Sequence, residues 1–452
     1  MSSLRQKILT LWKEDHLLRR VLQNTGYLFT SSTISMLFIA VQSILVARLL
    51  GAESLGLITI VMAFVTNVNQ LFSFRMGEFV TRYFGKAMTE ENIPHAGAVI
   101  KASALIEGFT SVFAFGFLFL VAPLGAKYLV KDIQSLFLFQ IFGIAILANL
   151  TTETANGVLR VLNRFKTQAL ITLIQSILTF TMITLAFIFQ GDALTILWAY
   201  LIGKIFLGVC PILVAIVTLN RELGREWWRS RISILPSIKE MAHFAISTNL
   251  SGTIKLLVSE SEPLWVGFFL DTKAVGLYKN ALAIVNLLMV PITPFIGTTF
   301  PEITRSVVAK KWQQLRQLLL RVTVISAIWT IFFALVMAFF GKWIIGLTYG
   351  EGFVPAYPVL MILMIGFGIS NIFFWNRTLL LSFGKANIPL YVLFGAAILK
   401  IILAFYFVPR YGINAEAALL SGNFILSVGI LAAVGLWTVR KSERTDSERV
   451  TA

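Results

Sequence analysis

In a chain this apolar, the residues able to do chemistry are the polar ones set inside hydrophobic runs. Between residues 241 and 270, Thr248, Ser251, Lys255, Ser259 and Glu262 recur at spacings of three and four, so a helix places them on one face. Asn24, Ser31, Ser35 and Gln42 make a similar stripe between 24 and 47, and a shift of 220 residues lays Ser31 on Ser251, Ser35 on Lys255 and Gln42 on Glu262. The following runs carry Thr59, Thr66, Asn69 and Ser73 in one case and Lys279, Asn286 and Thr293 in the other. This is the chemistry of binding rather than bond-breaking. Hydroxyls and amides hydrogen-bond hydroxylated groups, and ammonium or guanidinium groups hold phosphates. The plainer reading is that Ser, Thr and Asn join helices to one another.

Charged residues inside the same runs sharpen the choice. A lone charge in mid-bilayer costs at least about 2.5–3.5 kcal/mol, so it faces a partner or a water-filled cavity. Lys255 is read as facing a cavity, with a pair to Glu260 or Glu262 as the alternative. Further intramembrane charges are Lys101, Glu107, Glu153, Lys204, Lys400 and Glu416. Ser103, Glu107 and Thr110 share a helix face, and Thr152, Glu153 and Asn156 cluster. A buried carboxylate such as Glu107 or Glu153 can carry a coupling ion; neutralisation by a Lys on a neighbouring helix is the competing reading. Arg48 and Arg75 lie at helix ends, as boundary anchors or as phosphate contacts. Pro263, Pro291 and Pro294 each remove a helix hydrogen bond and mark bends.

Catalytic signatures are missing. There is no phosphate-binding glycine loop, no dinucleotide fingerprint and no H-E-x-x-H. Three scattered histidines (His16, His95, His243) and the single Cys210 offer no metal spacing and no disulfide framework. The chain is therefore expected to be no enzyme, to need no cofactor and to hold no metal.

The elements that must position these residues are membrane-spanning helices. Hydrophobic residues make up 57% of the 452 positions and charged ones 13%, about half the usual share in soluble domains, with a mean hydropathy of +0.81. The apolar runs are long enough to cross a bilayer as helices, and they lack the period-two alternation of barrel strands. Twelve spans are predicted: 24–47, 55–74, 96–121, 133–157, 167–189, 193–219, 241–270, 275–298, 318–340, 356–381, 388–408 and 413–438. The net charge of +16 does not point to nucleic acid, because the charges sit in short loops and tails. Of 38 Lys and Arg, 27 fall in the tails and alternate loops and seven in the opposite loops, which makes the first set and both termini cytosolic. The inner membrane is the expected location.

The expected organisation is a cytosolic extension over 1–20, a six-helix lobe over 21–220, a basic connector over 221–240, a second six-helix lobe over 241–439 and a polar, disordered tail over 440–452. The connector sets Arg221, Arg225, Arg229 and Arg231 around Trp227 and Trp228, suited to the lipid headgroup level. At the offset of 220, VARLLGAESLGL (Val46–Leu57) lies over VGFFLDTKAVGL (Val266–Leu277), with Val46/Val266, Leu50/Leu270, Gly56/Gly276 and Leu57/Leu277 identical. An even number of helices per unit makes the repeats parallel, related by an axis along the membrane normal.

Several segments resemble the Wzx-like oligosaccharide flippases, in the superfamily that also holds MurJ and the MATE exporters. They are ARLLGAESLGL (Ala47–Leu57), RMGEFVTRYFG (Arg75–Gly85), GVLRVLNRFK (Gly157–Lys166), AVGLYKNALAI (Ala274–Ile284), Pro301 and VPRYGINAEAALLSG (Val408–Gly422). In the last, Ala415 and Glu416 stand where the family pattern has Gly and Ala. The resemblance implies an all-α integral membrane fold of two six-helix lobes around a cavity open to either side in turn. It implies as substrate a polyprenyl-pyrophosphate-linked oligosaccharide moved to the outer leaflet for polysaccharide biosynthesis. Polysaccharide polymerase, glycosyltransferases and membrane lipids are the partners it suggests.

On this reading Lys255, with Arg48, Arg75, Lys101 and Lys279, attracts the pyrophosphate, while Ser35, Gln42, Ser251 and Glu262 bind the head and Glu107 and Glu153 serve ion coupling. A MATE-like cation exporter would favour acidic or aromatic cavity residues. A membrane glycosyltransferase or polymerase would need catalytic carboxylates on sizeable external loops, and here those loops are short. A non-transporting assembly scaffold is the remaining alternative.

Overall fold

The structure is a computed structural model that describes residues 16–73, 76–235, 260–385 and 387–451; side chains of residues 16–29, 234, 294, 297 and 447–451 lie outside the description. Fifteen α-helices occur among the described residues. In the first half they are α1 (His16–Phe72), α2 (Met76–Thr89), α3 (Ile93–Leu124), α4 (Leu136–Ala148), α5 (Thr152–Val161), α6 (Phe165–Ile188) and α7 (Ala193–Glu222). In the second half they are α8 (Glu262–Phe269), α9 (Thr272–Leu287), α10 (Thr293–Val308), α11 (Trp312–Tyr349), α12 (Tyr357–Ile372), α13 (Asn376–Ser382), α14 (Asn387–Tyr411) and α15 (Ile413–Thr451). No strand occurs among the described residues. Nine helical stretches among them are long and apolar enough to cross a membrane.

The predicted spans fall onto these helices. Spans 1 and 2 are two helices that meet at a kink within α1, where Gly51 takes a left-handed φ of 72° that L side chains avoid. Span 7 is described only from residue 260 onward. Span 8 is split into α9 and α10, with Pro291 in the break and Pro294 opening the next helix. Two segments read as loop or tail are instead helical. Residues 76–89 form α2, whose Met76, Phe79, Val80, Tyr83, Phe84 and Ala87 are buried, because its apolar residues repeat at helical spacing on one face only. The polar end of the chain continues α15 to Thr451 rather than being disordered. Asp446 takes hydrogen bonds from Lys310 (2.6 Å) and from the Trp312 indole (3.1 Å), and Glu443 pairs with Arg316.

The chain divides into two compact units that interleave along the sequence. Unit 1 is 1–42, 65–123 and 135–253; unit 2 is 43–64, 124–134 and 254–452. In unit 1, α2 packs against α5 and joins α3 and α7 in a core of Phe79, Phe84, Val99, Ile100, Val158, Leu159 and Leu219. The connector folds back onto this core. Gly97 in α3 leaves room for it, since a Cβ there would fall 2.5 Å from Trp227 O. Trp227 turns toward the protein, donating to Asn220 Oδ1 at 2.9 Å, so only Trp228 is exposed for a headgroup.

Unit 2 contains the duplicated segment from both halves. A Cβ at Gly56 would lie 1.7 Å from Thr272 O, and one at Gly276 would lie 1.8 Å from Ala52 O. The offset of 220 pairs Ala52 with Thr272 and Gly56 with Gly276, so the two copies of small-xxx-small cross reciprocally at backbone contact. Two basic side chains from the first half also reach carbonyls at helix ends in this unit. Arg48 donates to Thr348 O (2.7 Å) and to Leu347 O in the last turn of α11, and Lys131 donates to Leu270 O after α8. Cations at helix C-termini complement the macrodipole.

Candidate functional site

Unit 1 encloses a polar cavity of about 240 Å³ within its apolar helices. From α1 it takes Thr66, Asn69, Gln70 and Phe72, with Ser73 just beyond. Glu107, Thr110 and Ser111 come from α3, while Asn149, Thr152 and Glu153 come from the α4–α5 junction. Three polar faces legible separately in the sequence thus converge on one space.

Local structure fixes the two carboxylates. Helix α5 begins inside the protein, where its first backbone N–H groups have no partner of their own. Glu107 supplies one: its carboxylate accepts from Glu153 N at 2.8 Å and Thr154 N at 2.9 Å. Glu153 accepts from the Ser73 hydroxyl at 2.8 Å, and its second oxygen has no protein partner among the described residues. Thr110 Oγ1 donates to Glu107 O at 3.0 Å and Thr152 Oγ1 to Gly208 O at 3.1 Å, so these hydroxyls are engaged. Glu107 and Ser111 are buried, Glu153 and Asn69 half-buried and Gln70 exposed, so the cavity opens on the Gln70 side.

A second concentration of charge lies in unit 2. Lys400 pairs with Glu416 at 2.8 Å and with Glu262, and Tyr278 donates its hydroxyl to Glu262 at 2.8 Å. All four are buried. Glu416 stands in the first turn of α15, where the helix dipole favours an anion. Its departure from the family pattern is therefore matched by an ammonium on α14. Here neutralisation by a Lys on a neighbouring helix is what the structure shows.

The other sequence candidates are placed as follows. Arg75, Ser251 and Lys255 lie outside the described residues. Gln42 donates to Ser176 O at 3.1 Å, a helix-joining bond between α1 and α6, and Ser35 is buried. Lys101 reaches Ser230 O of the connector at 3.5 Å. Arg48 is committed to the end of α11, as a boundary anchor would be, and Lys279 is exposed on α9. Tyr278 carried no sequence signal, because a tyrosine in an apolar run looks like core. Among the described residues no group of His, Cys, Asp and Glu is placed to hold a metal ion.

Residues 21–307 match the family described as polysaccharide biosynthesis protein, which is more than half of the chain. The chain belongs to the polysaccharide biosynthesis protein family. Residues 255–406 of this family member also match the MatE family. A curated relative, the teichuronic acid biosynthesis protein TuaB of Bacillus subtilis, is 21% identical over 330 residues, 72% of this chain and 63% of TuaB, so the match leaves over a third of that relative uncovered. Two solved structures share the fold. A MATE family multidrug resistance transporter of the MOP superfamily in an inward-facing conformation has a TM-score of 0.70 at 13% identity, over 91% of this chain and 96% of that one. The lipid II flippase MurJ, in an inward closed conformation, has a TM-score of 0.69 at 17% identity, over 92% and 90%. The family member is thus a multi-pass, all-α membrane protein with the MATE/MurJ transporter fold.

Proposed function

We propose that this chain is a flippase for a polyprenyl-pyrophosphate-linked oligosaccharide, moving the sugar head from the cytosolic to the outer leaflet by alternating access. The observation that carries this reading is the cavity of unit 1. A sugar head cannot enter hydrocarbon without losing its hydration, and this space offers hydroxyl, amide and carboxylate groups in exchange. The family's description and the TuaB match support the sugar class. Lys255 and Arg75 remain the side chains proposed for the pyrophosphate, and the prenyl tail stays in lipid. The protein makes no bond in this scheme, so glycosyltransferases act before it and a polymerase after it, and the inner membrane is its place.

The test is translocation in proteoliposomes of purified protein, with a lipid-linked oligosaccharide loaded in one leaflet and its exposure read by an added glycosidase. Protein-dependent exposure is expected. Exposure at the rate of empty liposomes would overturn the reading. A second reading, a MATE-like cation exporter, is favoured by one observation, the pair Glu107 and Glu153 in the cavity. It predicts that cationic dyes are transported and compete with the oligosaccharide lipid.

A further inference from the structure

The cavity of unit 1 holds polar side chains that the fold itself does not use. Thr66, Asn69, Gln70 and Ser111 make no side-chain hydrogen bond to described residues, and one oxygen of Glu153 is likewise unengaged. Ser111 is the telling one. It is 7% exposed, it sits in mid-α3, and its hydroxyl borders the cavity. A buried helical serine commonly bonds back to the carbonyl four residues earlier, as Ser103 does to Val99 O at 2.8 Å. Ser111 does not.

We infer that this cavity is a subsite for a single uncharged sugar ring of the cargo, and that it discriminates against acidic sugars. Size, lining and charge each point there. About 240 Å³ is below the roughly 300–1,000 Å³ of drug-sized sites, which restricts the occupant to one ring. Amide and carboxylate groups bind neighbouring hydroxyls in pairs, accepting with oxygen and donating with nitrogen. Phe72 supplies the apolar wall on which the C–H face of a ring rests. A bare cation would use the oxygens and leave the amide N–H groups without a role. The carboxylates set the selectivity. Neither Glu107 nor Glu153 is ion-paired among the described residues, so a sugar carboxylate entering beside them meets like charge, whereas a hydroxyl or acetamido group does not.

The inference rests on the flippase reading for its cargo, but its test does not. In full-length protein carrying Cys210→Ser, which removes the one native thiol, Ser111→Cys places a reporter in the cavity wall. Its rate of maleimide labelling is measured with N-acetylglucosamine, glucuronic acid or sodium chloride added. N-acetylglucosamine is expected to slow labelling at concentrations roughly tenfold lower than glucuronate needs, about 1.4 kcal/mol of discrimination. Adding Glu153→Gln should erase that ratio. Asn69→Cys serves as a second reporter should the first fail to fold. Equal labelling with and without N-acetylglucosamine at both positions overturns the subsite, as does protection by sodium chloride alone. Protection without lipid translocation by the parent protein would uphold the subsite and sink the flippase reading; translocation without protection would do the reverse.

Discussion

Replacing Lys400 with Met should destabilise unit 2 far more than removing either of its acidic partners. Lys400, Glu262 and Glu416 have side chains 3%, 1% and 0% exposed, so solvent screens none of them. With both acids ionised the cluster carries one positive and two negative charges. Lys400→Met keeps the packing volume and leaves two adjacent carboxylates buried without a counter-charge. Breaking a buried pair in this way costs about 3–5 kcal/mol. Glu416→Gln acts in the opposite direction on the charge balance, because it leaves Lys400 with Glu262 alone and the cluster neutral. Its cost should fall within about 1 kcal/mol, the net worth of one hydrogen bond. The triple variant Lys400→Met, Glu262→Gln, Glu416→Gln removes every charge and should recover most of the loss, since buried ion pairs are often replaceable as a set. Thermal melting of detergent-solubilised protein, read as the folded fraction surviving each temperature, orders the three. If Lys400→Met melts with Glu416→Gln, or the triple variant melts below Lys400→Met, the charge argument is wrong.

Other outcomes follow from the same geometry. Gly56→Ala and Gly276→Ala should each cost about 1–3 kcal/mol, because the new Cβ meets rigid backbone. Gly395→Ala in α14, with nothing within 4 Å, should be neutral or better; equal melting of all three would refute the crossing. At the start of α7 the Asp192 carboxylate accepts from Thr195 N at 2.9 Å and the Thr195 hydroxyl at 2.7 Å, bonds that hold its pKa below the ordinary value. A depressed carboxyl stabilises above its unfolded pKa and loses that contribution as pH falls through the folded one. Asp192→Ala should therefore cost about 1 kcal/mol at neutral pH and less once the pH lies below both pKa values, checked by melting against pH. Truncation after Arg440 removes the pairs of Asp446 with Lys310, just before α11, and of Glu443 with Arg316 on α11; exposed pairs are worth about 0–1 kcal/mol each, so a shift of only a few degrees is expected. Loss of folding on truncation would show that the α15 extension does more than pair charges.

The long apolar runs and the polar faces within them were legible in the sequence, because length and helical spacing are local properties. The cavity was legible in pieces. Thr66, Asn69 and Ser73, then Glu107 and Thr110, then Thr152 and Glu153 each stood out on their own helix, but nothing in the spacing joined them. Pairings across long separations were invisible for the same reason: Glu262 and Lys400 lie 138 residues apart, and either charge fits a cavity as well as a pair. Gln42 shows the opposite side of the same difficulty. Its spacing resembled a cavity wall, while Gln42 joins α1 to α6. Helix α2 escaped notice because a fourteen-residue amphipathic segment carries too little apolar length to read as a span.

The crossing at Gly56 and Gly276 has a bearing on descent. Each copy of the segment presents its glycine to the other copy's small residue, the self-complementary pattern of a twofold contact between identical subunits. Two copies of a half-length chain bearing that segment would have what they need to pair with each other. In such a pair one substitution strikes both sides of the contact at once. In a single chain the coupling is absent and the partners are free to differ, as Ala52 and Thr272 do beside the two glycines.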